Sequence, residues 1–139
     1  MSKKVLVLCS GNSCRSIIAE ALINAFLDGV EAFSAGVDPS GKVNKNAKKV
    51  LQNHNIWDDR YCSKTLNDVL DIEFGLVVTV CDNAKESCPV FPKDTKVIHI
   101  GFEDPDKKEF EQFIKTYNLI AENLLPQIKK YFDGATSGI

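Results

Sequence analysis

Cysteine carries most of the chemistry legible in this 139-residue chain. Cys9 heads the stretch Cys9-Ser10-Gly11-Asn12-Ser13-Cys14-Arg15-Ser16, which lies between an apolar β-rich run and a helical pattern. A short loop in that position can gather its own N–H groups and those of the helix start around one anion. Gly11 is expected to supply the backbone freedom that such a curve needs. Arg15, at the helix start, can fork two N–H bonds onto a tetrahedral oxyanion. In that field a thiol with an ordinary pKa of about 8.5 is drawn toward thiolate, to roughly 3.5–7.5 at comparable sites. The pattern points to a nucleophilic sulfur facing an oxyanion held by Ser10, Gly11, Asn12, Ser13, Cys14, Arg15 and Ser16. The plainer reading is a buried strand cysteine, an ordinary turn and a surface arginine. The spacing Cys-x5-Arg does not separate the two readings; its placement between strand and helix favours the first.

Two further cysteines fall where chemistry is plausible. Cys81 directly follows the apolar run Gly75–Val80, and Cys88 lies in the polar stretch after it. Each has a plain alternative, a packed core thiol for Cys81 and an incidental loop residue for Cys88. Zinc is disfavoured: the Cys-x6-Cys spacing is wide for a knuckle, and Arg15 inside the cluster calls for an anion. No metal is expected. The two histidines, His54 on a helical pattern and His99 on a strand, read as structural. Asp104 precedes Pro105 in a turn; on its own it reads as a solvated turn residue.

These residues need a scaffold. Lys3–Leu8 reads as a buried strand ending at Cys9. From Arg15, the residues Ile17, Ile18, Ala21, Leu22, Ala25 and Phe26 form an apolar stripe that Gly29 stops. Val30–Ser34 is a second strand, and Asn44 is placed to cap a helix running to about His54. Leu66–Leu70 reads as one helical turn. Gly75–Val80, continuously apolar and β-branched, suits a parallel strand covered on both faces. The stretch from Cys81 to about Thr95 reads as a loop, Lys96–Ile100 as a fourth strand, and Lys107–Tyr131 as a helix that Pro126 kinks or restarts. Gly134–Ile139 reads as a frayed tail after a domain spanning residues 1–133. Strands alternating with helices predict one three-layer α/β/α domain with a four-stranded parallel sheet. Ligands of such sheets bind at the carboxyl ends of strands, where Cys9, Cys81 and the loop after Ile100 all fall.

Composition narrows the setting. The 44% hydrophobic and 26% charged residues are ordinary for a globular domain. A net charge of -2 argues against a broad grip on nucleic acid. No apolar run is long enough to span a bilayer, and the apolar part of the amino-terminal segment is too short for a signal peptide. An odd number of cysteines without an export signal predicts a cytoplasmic protein with reduced thiols. No nucleic-acid or membrane partner is expected, and the chain reads as a monomer.

The segment Val5–Ala21, with its Cys-x-Gly-Asn-Ser-Cys-Arg-Ser loop, resembles the phosphate-binding loop of the low-molecular-weight tyrosine phosphatases and of the arsenate reductases built on that fold. Gly101-Phe102-Glu103-Asp104-Pro105 resembles their general-acid loop, which implies that Asp104 is the acid. The arrangement Val80-Cys81-x6-Cys88-Pro89 resembles the thioredoxin-coupled arsenate reductases. That likeness implies a relay. Cys9 attacks arsenate while Asp104 protonates the departing oxygen. Cys81 then attacks Cys9, arsenite leaves with its electron pair, and a Cys9–Cys81 disulfide forms. Cys88 attacks Cys81 and leaves Cys81–Cys88 for thioredoxin to reduce. No bound cofactor is implied: reducing equivalents come from thioredoxin, and phosphate or sulfate would mimic the substrate. The alternative is a phosphatase using Cys9, Arg15 and Asp104. Asp106 and Lys107 stand where such phosphatases tend to carry aromatics. Cys14 is expected to pack beneath the loop, with a protective Cys9–Cys14 disulfide as the other possibility, and Cys62 has no assigned role. Asn12 is expected to brace the loop and Ser16 to donate to Cys9. Some thioredoxin-coupled members bind potassium at positions matching Asn12, Ser16 and Glu20. Here Lys64 stands near the place of a cation-binding Asp and is expected to pair with Glu20, which predicts no stimulation by potassium.

Overall fold

The computed structural model describes residues 3–86, 88, 91 and 95–137. Four strands, β1 (Lys4–Cys9), β2 (Glu31–Gly36), β3 (Leu76–Thr79) and β4 (Lys96–His99), form one sheet in the order β2-β1-β3-β4. Every neighbouring pair is parallel. The helices are α1 (Arg15–Phe26), α2 (Lys45–Asn53), α3 (Asp82–Glu86) and α4 (Phe110–Ser137), with a 3-10 turn over Leu66–Val69. β1 pairs with β2 on one side and β3 on the other, so the chain reverses its winding direction between β1 and β3. A crevice at that reversal, outside the carboxyl ends of the strands, is where open α/β sheets bind ligands. Cys9 ends β1, and Cys81 lies two residues beyond β3.

Burial explains the strands. Val5, Leu6, Val7 and Leu8 of β1 and Leu76, Val77 and Val78 of β3 are fully buried. Both faces of these central strands are covered, which is why they read as continuous apolar runs rather than alternating ones. Ile17, Ile18, Leu22 and Ile23 of α1 join the same core as Phe113, Ile120, Leu124 and Ile128 of α4. Asn44 caps α2 as its residue type predicts: its side chain accepts from the N–H groups of Asn46 and Ala47 at 2.8 and 3.3 Å.

Three expectations change. The stretch after Cys81 opens as α3, not as a loop. Asp82 lies in its first turn and the N–H of Ala84 donates to Cys81 Sγ at 3.3 Å, a cap that the polar composition conceals. Ser87, Pro89, Val90, Pro92, Lys93 and Asp94, also expected in that loop, lie outside the described residues. Pro126 sits inside an unbroken α4. It is exposed, as is Glu122, so the carbonyl it deprives of a partner can face water. Finally, α4 continues through Gly134–Ser137, where a frayed tail was expected; Gly138 and Ile139 lie outside the described residues.

Candidate active site at the carboxyl ends of β1 and β3

The loop between β1 and α1 is shaped by what holds its carbonyls. Val37 N–H donates to the carbonyl of Cys9 at 3.0 Å, Asp38 N–H to Ser10 at 2.9 Å, Ser40 N–H to Gly11 at 2.9 Å and Asn44 N–H to Ser13 at 3.0 Å. Ser63 Oγ adds a second bond to the Gly11 carbonyl at 3.0 Å. No peptide bond among the described residues is cis, so the N–H following each anchored carbonyl points the opposite way. The N–H groups of Ser10, Gly11, Asn12 and Cys14 therefore turn toward the concave side. The start of α1 adds to this donor set, because no side chain caps it and no acidic residue lies in its first turn. Residues 37–44, between β2 and α2, are thus the outer brace of the cradle.

The left-handed residue of this loop is Asn12, with φ 48°, and not Gly11. Its amide offsets the cost. Asn12 Nδ2 donates to Ser16 Oγ at 2.8 Å and to Ser34 Oγ at 2.9 Å, while Lys64 N–H donates to Asn12 Oδ1 at 2.9 Å. Asn12 and Ser16 are fully buried, so Asn12 does brace the loop. A β-carbon on Gly36, at the end of β2, would lie 2.5 Å from the Ser10 carbonyl oxygen and 3.1 Å from Asn12 N. Gly36 is therefore required for the loop to close over β2. Sequence reading missed this residue, and only its place at a strand end next to the loop hints at it.

Beneath the loop, Ser34 Oγ donates to Glu20 Oε1 at 2.6 Å. Glu20 is buried, and burial pushes its carboxyl up to about 7, opposed by the Lys64 charge and the Ser34 bond. The expected Lys64–Glu20 ion pair does not form among the described residues. Lys64 Nζ donates to the Cys62 carbonyl at 3.1 Å and acts on Glu20 only through its field.

Arg15, the first residue of α1, has a side chain only 11% exposed. Its Nη1 donates to the Phe102 carbonyl at 3.0 Å and its Nη2 lies 3.5 Å from Asp104 Oδ2. Arg15 Nε is buried without a partner among the described residues. A buried charged donor that lacks an acceptor, at the uncapped start of a helix, fits an oxyanion. Asp104 is half exposed, and its Oδ1 accepts the N–H of Asp106 at 3.0 Å. The loop carrying it is tied to the end of β3 by Ile100 N–H to Thr79 and Phe102 N–H to Val80, at 2.9 and 3.1 Å.

Cys9 and Cys81 are both buried, and each thiol acts on the other. Cys81 and burial push the Cys9 thiol up, against the pull of Arg15 and the Asn12 N–H, so the lowering expected for Cys9 from its loop is opposed. Cys9 draws the Cys81 thiol below the ordinary range against its burial, helped by Ser10 Oγ at 3.5 Å, the Ala84 N–H at 3.3 Å and Arg15. The two thiols titrate as a pair. Cys14, at the N-cap of α1, is 2% exposed and pushed up to about 12, mainly by burial. Ser13 Oγ lies 3.7 Å from its sulfur. Cys88 is half-buried against the core beyond α3, and burial raises its thiol. Cys62 is exposed, and all five thiols are free. The structure thus brings Cys9, Arg15, Cys81 and Asp104 to one end of the sheet, with Cys88 at the far end of α3. No cluster of three or more metal-ligating side chains occurs among the described residues.

Comparison with known proteins agrees with this geometry. The chain is 37% identical over 123 residues to an arsenate reductase of Bacillus cereus, covering 88% of this chain and 91% of that protein. It is 40% identical over 111 residues to an arsenate reductase of Halalkalibacterium halodurans, covering 78% and 79%. Among solved structures, an arsenate reductase from Archaeoglobus fulgidus superposes with a TM-score of 0.74 at 34% identity, covering 91% of this chain and 97% of that one. Residues 4–132 match the family described as low molecular weight phosphotyrosine protein phosphatase. The loop, the parallel sheet behind it and these matches agree: the chain belongs to the low-molecular-weight phosphotyrosine protein phosphatase family.

Proposed function

We propose that this protein reduces arsenate to arsenite by a relay through Cys9, Cys81 and Cys88, with thioredoxin restoring the thiols. The observation that carries the reading is Cys81 set against the oxyanion loop that Cys9 opens, its Sγ 3.5 Å from Ser10 Oγ. A phosphatase needs one sulfur there, whereas a two-electron reduction needs a second sulfur within reach of the first. The arsenate reductases to which the chain is similar support the same choice.

The inward N–H groups and Arg15 hold the arsenate. Cys9 attacks arsenic as its proton passes to an arsenate oxygen, and Asp104 protonates the oxygen that departs as water. Cys81 then attacks the Cys9 sulfur and yields its proton to the leaving arsenite, which carries away the electron pair of the broken sulfur–arsenic bond. The product is a Cys9–Cys81 disulfide. Cys88 next attacks Cys81, freeing Cys9 and leaving Cys81–Cys88. α3, which follows Cys81, has five residues, too short to be stable by itself, so it can unwind to let this bond close. A thioredoxin dithiol takes the disulfide and returns two thiols. Ser16 supports the Cys9 thiolate, and Ser13 and Cys14 complete the loop. The relay suits the reducing cytoplasm, and no helix among the described residues is long and apolar enough to cross a membrane.

The test is arsenate-dependent NADPH consumption with thioredoxin and thioredoxin reductase. The native protein is expected to turn over steadily. Cys81→Ser is expected to lose at least about 100-fold in that assay, because the Cys9–arsenic adduct then has no attacking thiol. The same variant keeps slow hydrolysis of an aryl phosphate, which needs only Cys9, Arg15 and Asp104. Arsenate turnover surviving in Cys81→Ser would break the relay.

A further inference from the structure

The reading above gives no role to His99, which lies at the end of β4. Its side chain is about one quarter exposed. Nδ1 lies 2.8 Å from Thr79 Oγ1, and Nε2 lies 3.3 Å from Asp82 Oδ1. Thr79 ends β3 and is buried; Asp82 opens α3. The ring therefore bridges two residues that flank Cys81, one two positions before it and one directly after. Gly101 leaves space for the ring, since a β-carbon there would stand 3.1 Å from His99 Nε2. Both ring nitrogens are used. With a proton on Nε2 shared with the Asp82 carboxylate, Nδ1 accepts from the Thr79 hydroxyl. The other acceptor near that hydroxyl, the Ile98 carbonyl, is farther away at 3.5 Å.

The geometry points to His99 as a positioning residue for the Cys81 step. It clips the start of α3 to the sheet end through Asp82 and Thr79, and so holds the Cys81 sulfur at Cys9. This inference rests on the reductase reading, because it assigns His99 to the step in which Cys81 attacks Cys9. The Asp82 carboxylate is 92% exposed, so the clip is a solvated contact of modest strength. That strength suits its place. It orders α3 while Cys81 must meet Cys9, and it yields when Cys81 must turn to Cys88. The Ala84 N–H bond to Cys81 Sγ depends on the same short helix, so loosening Asp82 loosens a donor to the sulfur as well.

Two measurements on the full chain test it. The first is hydrogen exchange of the α3 amides in the reduced protein, which needs no arsenate. The second is a single turnover with arsenate in a Cys88→Ser background, where the Cys9–Cys81 disulfide accumulates and is followed as the loss of two thiols. His99→Ala is expected to speed α3 exchange and to slow disulfide formation, each by about three- to tenfold. His99→Gln keeps an N–H for Asp82 and an oxygen for Thr79, and is expected to recover most of both. Aryl phosphate hydrolysis, which does not use Cys81, is expected to change less than twofold in either variant.

Unchanged α3 exchange in His99→Ala would overturn the clip. Faster exchange with an unchanged disulfide rate would overturn the positioning role. An equal slowing of phosphate hydrolysis would also overturn it, by showing general damage to the site. If the parent forms no disulfide with arsenate, the reductase reading falls and the assigned step falls with it. The exchange data would still report on the clip itself, so the two failures are distinguishable.

Discussion

Replacing Gly36 by Ala should damage the oxyanion cradle more than any change in the cradle's own glycine. The added carbon would meet the Ser10 carbonyl oxygen at 2.5 Å, against a floor near 3.0 Å and an ordinary contact of 3.4 Å. A shift of at least 0.5 Å is therefore required, and 0.9 Å for comfort. Neither side yields easily. Gly36 N–H donates to the Lys64 carbonyl at 2.9 Å, its partner in the sheet is Cys9, and the Ser10 carbonyl is held by Asp38 N–H. The obstacle is backbone on both sides, with no flexible side-chain end to move. Overpacking of this kind costs about 1–3 kcal/mol, which for a chain this size lowers Tm by roughly 5–10 °C. A displacement approaching 1 Å in the loop that aligns Cys9 costs up to ~100-fold in turnover. Gly11→Ala is the control. Its β-carbon would meet nothing closer than Ser13 Oγ at 3.6 Å, so its Tm should stay near that of the parent. The assays are thermal unfolding by circular dichroism and steady-state arsenate turnover. A Gly36→Ala protein with the parent's Tm and turnover would refute the reasoning.

Glu20 gives a pH signature. Its folded carboxyl titrates near 7 against an ordinary 4.5, so the folded state binds more protons than the unfolded one between those values. Stability therefore falls as pH rises from about 4.5 to 7, by about 3 kcal/mol in all. In urea unfolding at pH 5 and pH 8, Glu20→Gln should flatten this slope; an unchanged slope would count against it. Native alkylation with iodoacetamide near pH 7.5, read by mass spectrometry, should label exposed Cys62 readily and leave Cys14 unmodified. Rapid labelling of Cys14 would contradict its burial. Exchanging sodium for potassium should leave arsenate turnover unchanged within about twofold, because the Lys64 charge already acts on Glu20. A clear rise with potassium would show that this field does not stand in for a bound cation.

Much of the molecule is legible in its residues because local rules and tertiary needs coincide. The run Val5–Leu8 can only be a strand buried on both faces. Asn44 caps the helix that its neighbours form, and Arg15 begins a helix where an oxyanion-binding loop must end. Cys9 and Arg15 stand out by type and placement and Cys81 and Asp104 through the family resemblance, and the four lie at one end of the sheet. Legibility failed where a contact, and not a propensity, decides. α3 forms over residues that read as loop because a sulfur, Cys81 Sγ, takes its Ala84 N–H. Asn12 and not Gly11 adopts the left-handed angle, because three hydrogen bonds from separate elements compensate a conformation that its own side chain disfavours.

By itself, then, the sequence determines the alternation of strands and helices and the chemical kinds available at each strand end. Both follow from hydrophobic periodicity and side-chain type, which act over a few residues. Only the tertiary structure decides how those kinds are tuned. The mutual influence of the Cys9 and Cys81 thiols arises between residues 72 positions apart. So does the demand for glycine at Gly36, set by a loop on the neighbouring strand, and the bridge that His99 makes from β4 to α3. Hydrogen bonds, close contacts and burial depend on distance in space, and the separation along the chain does not encode it.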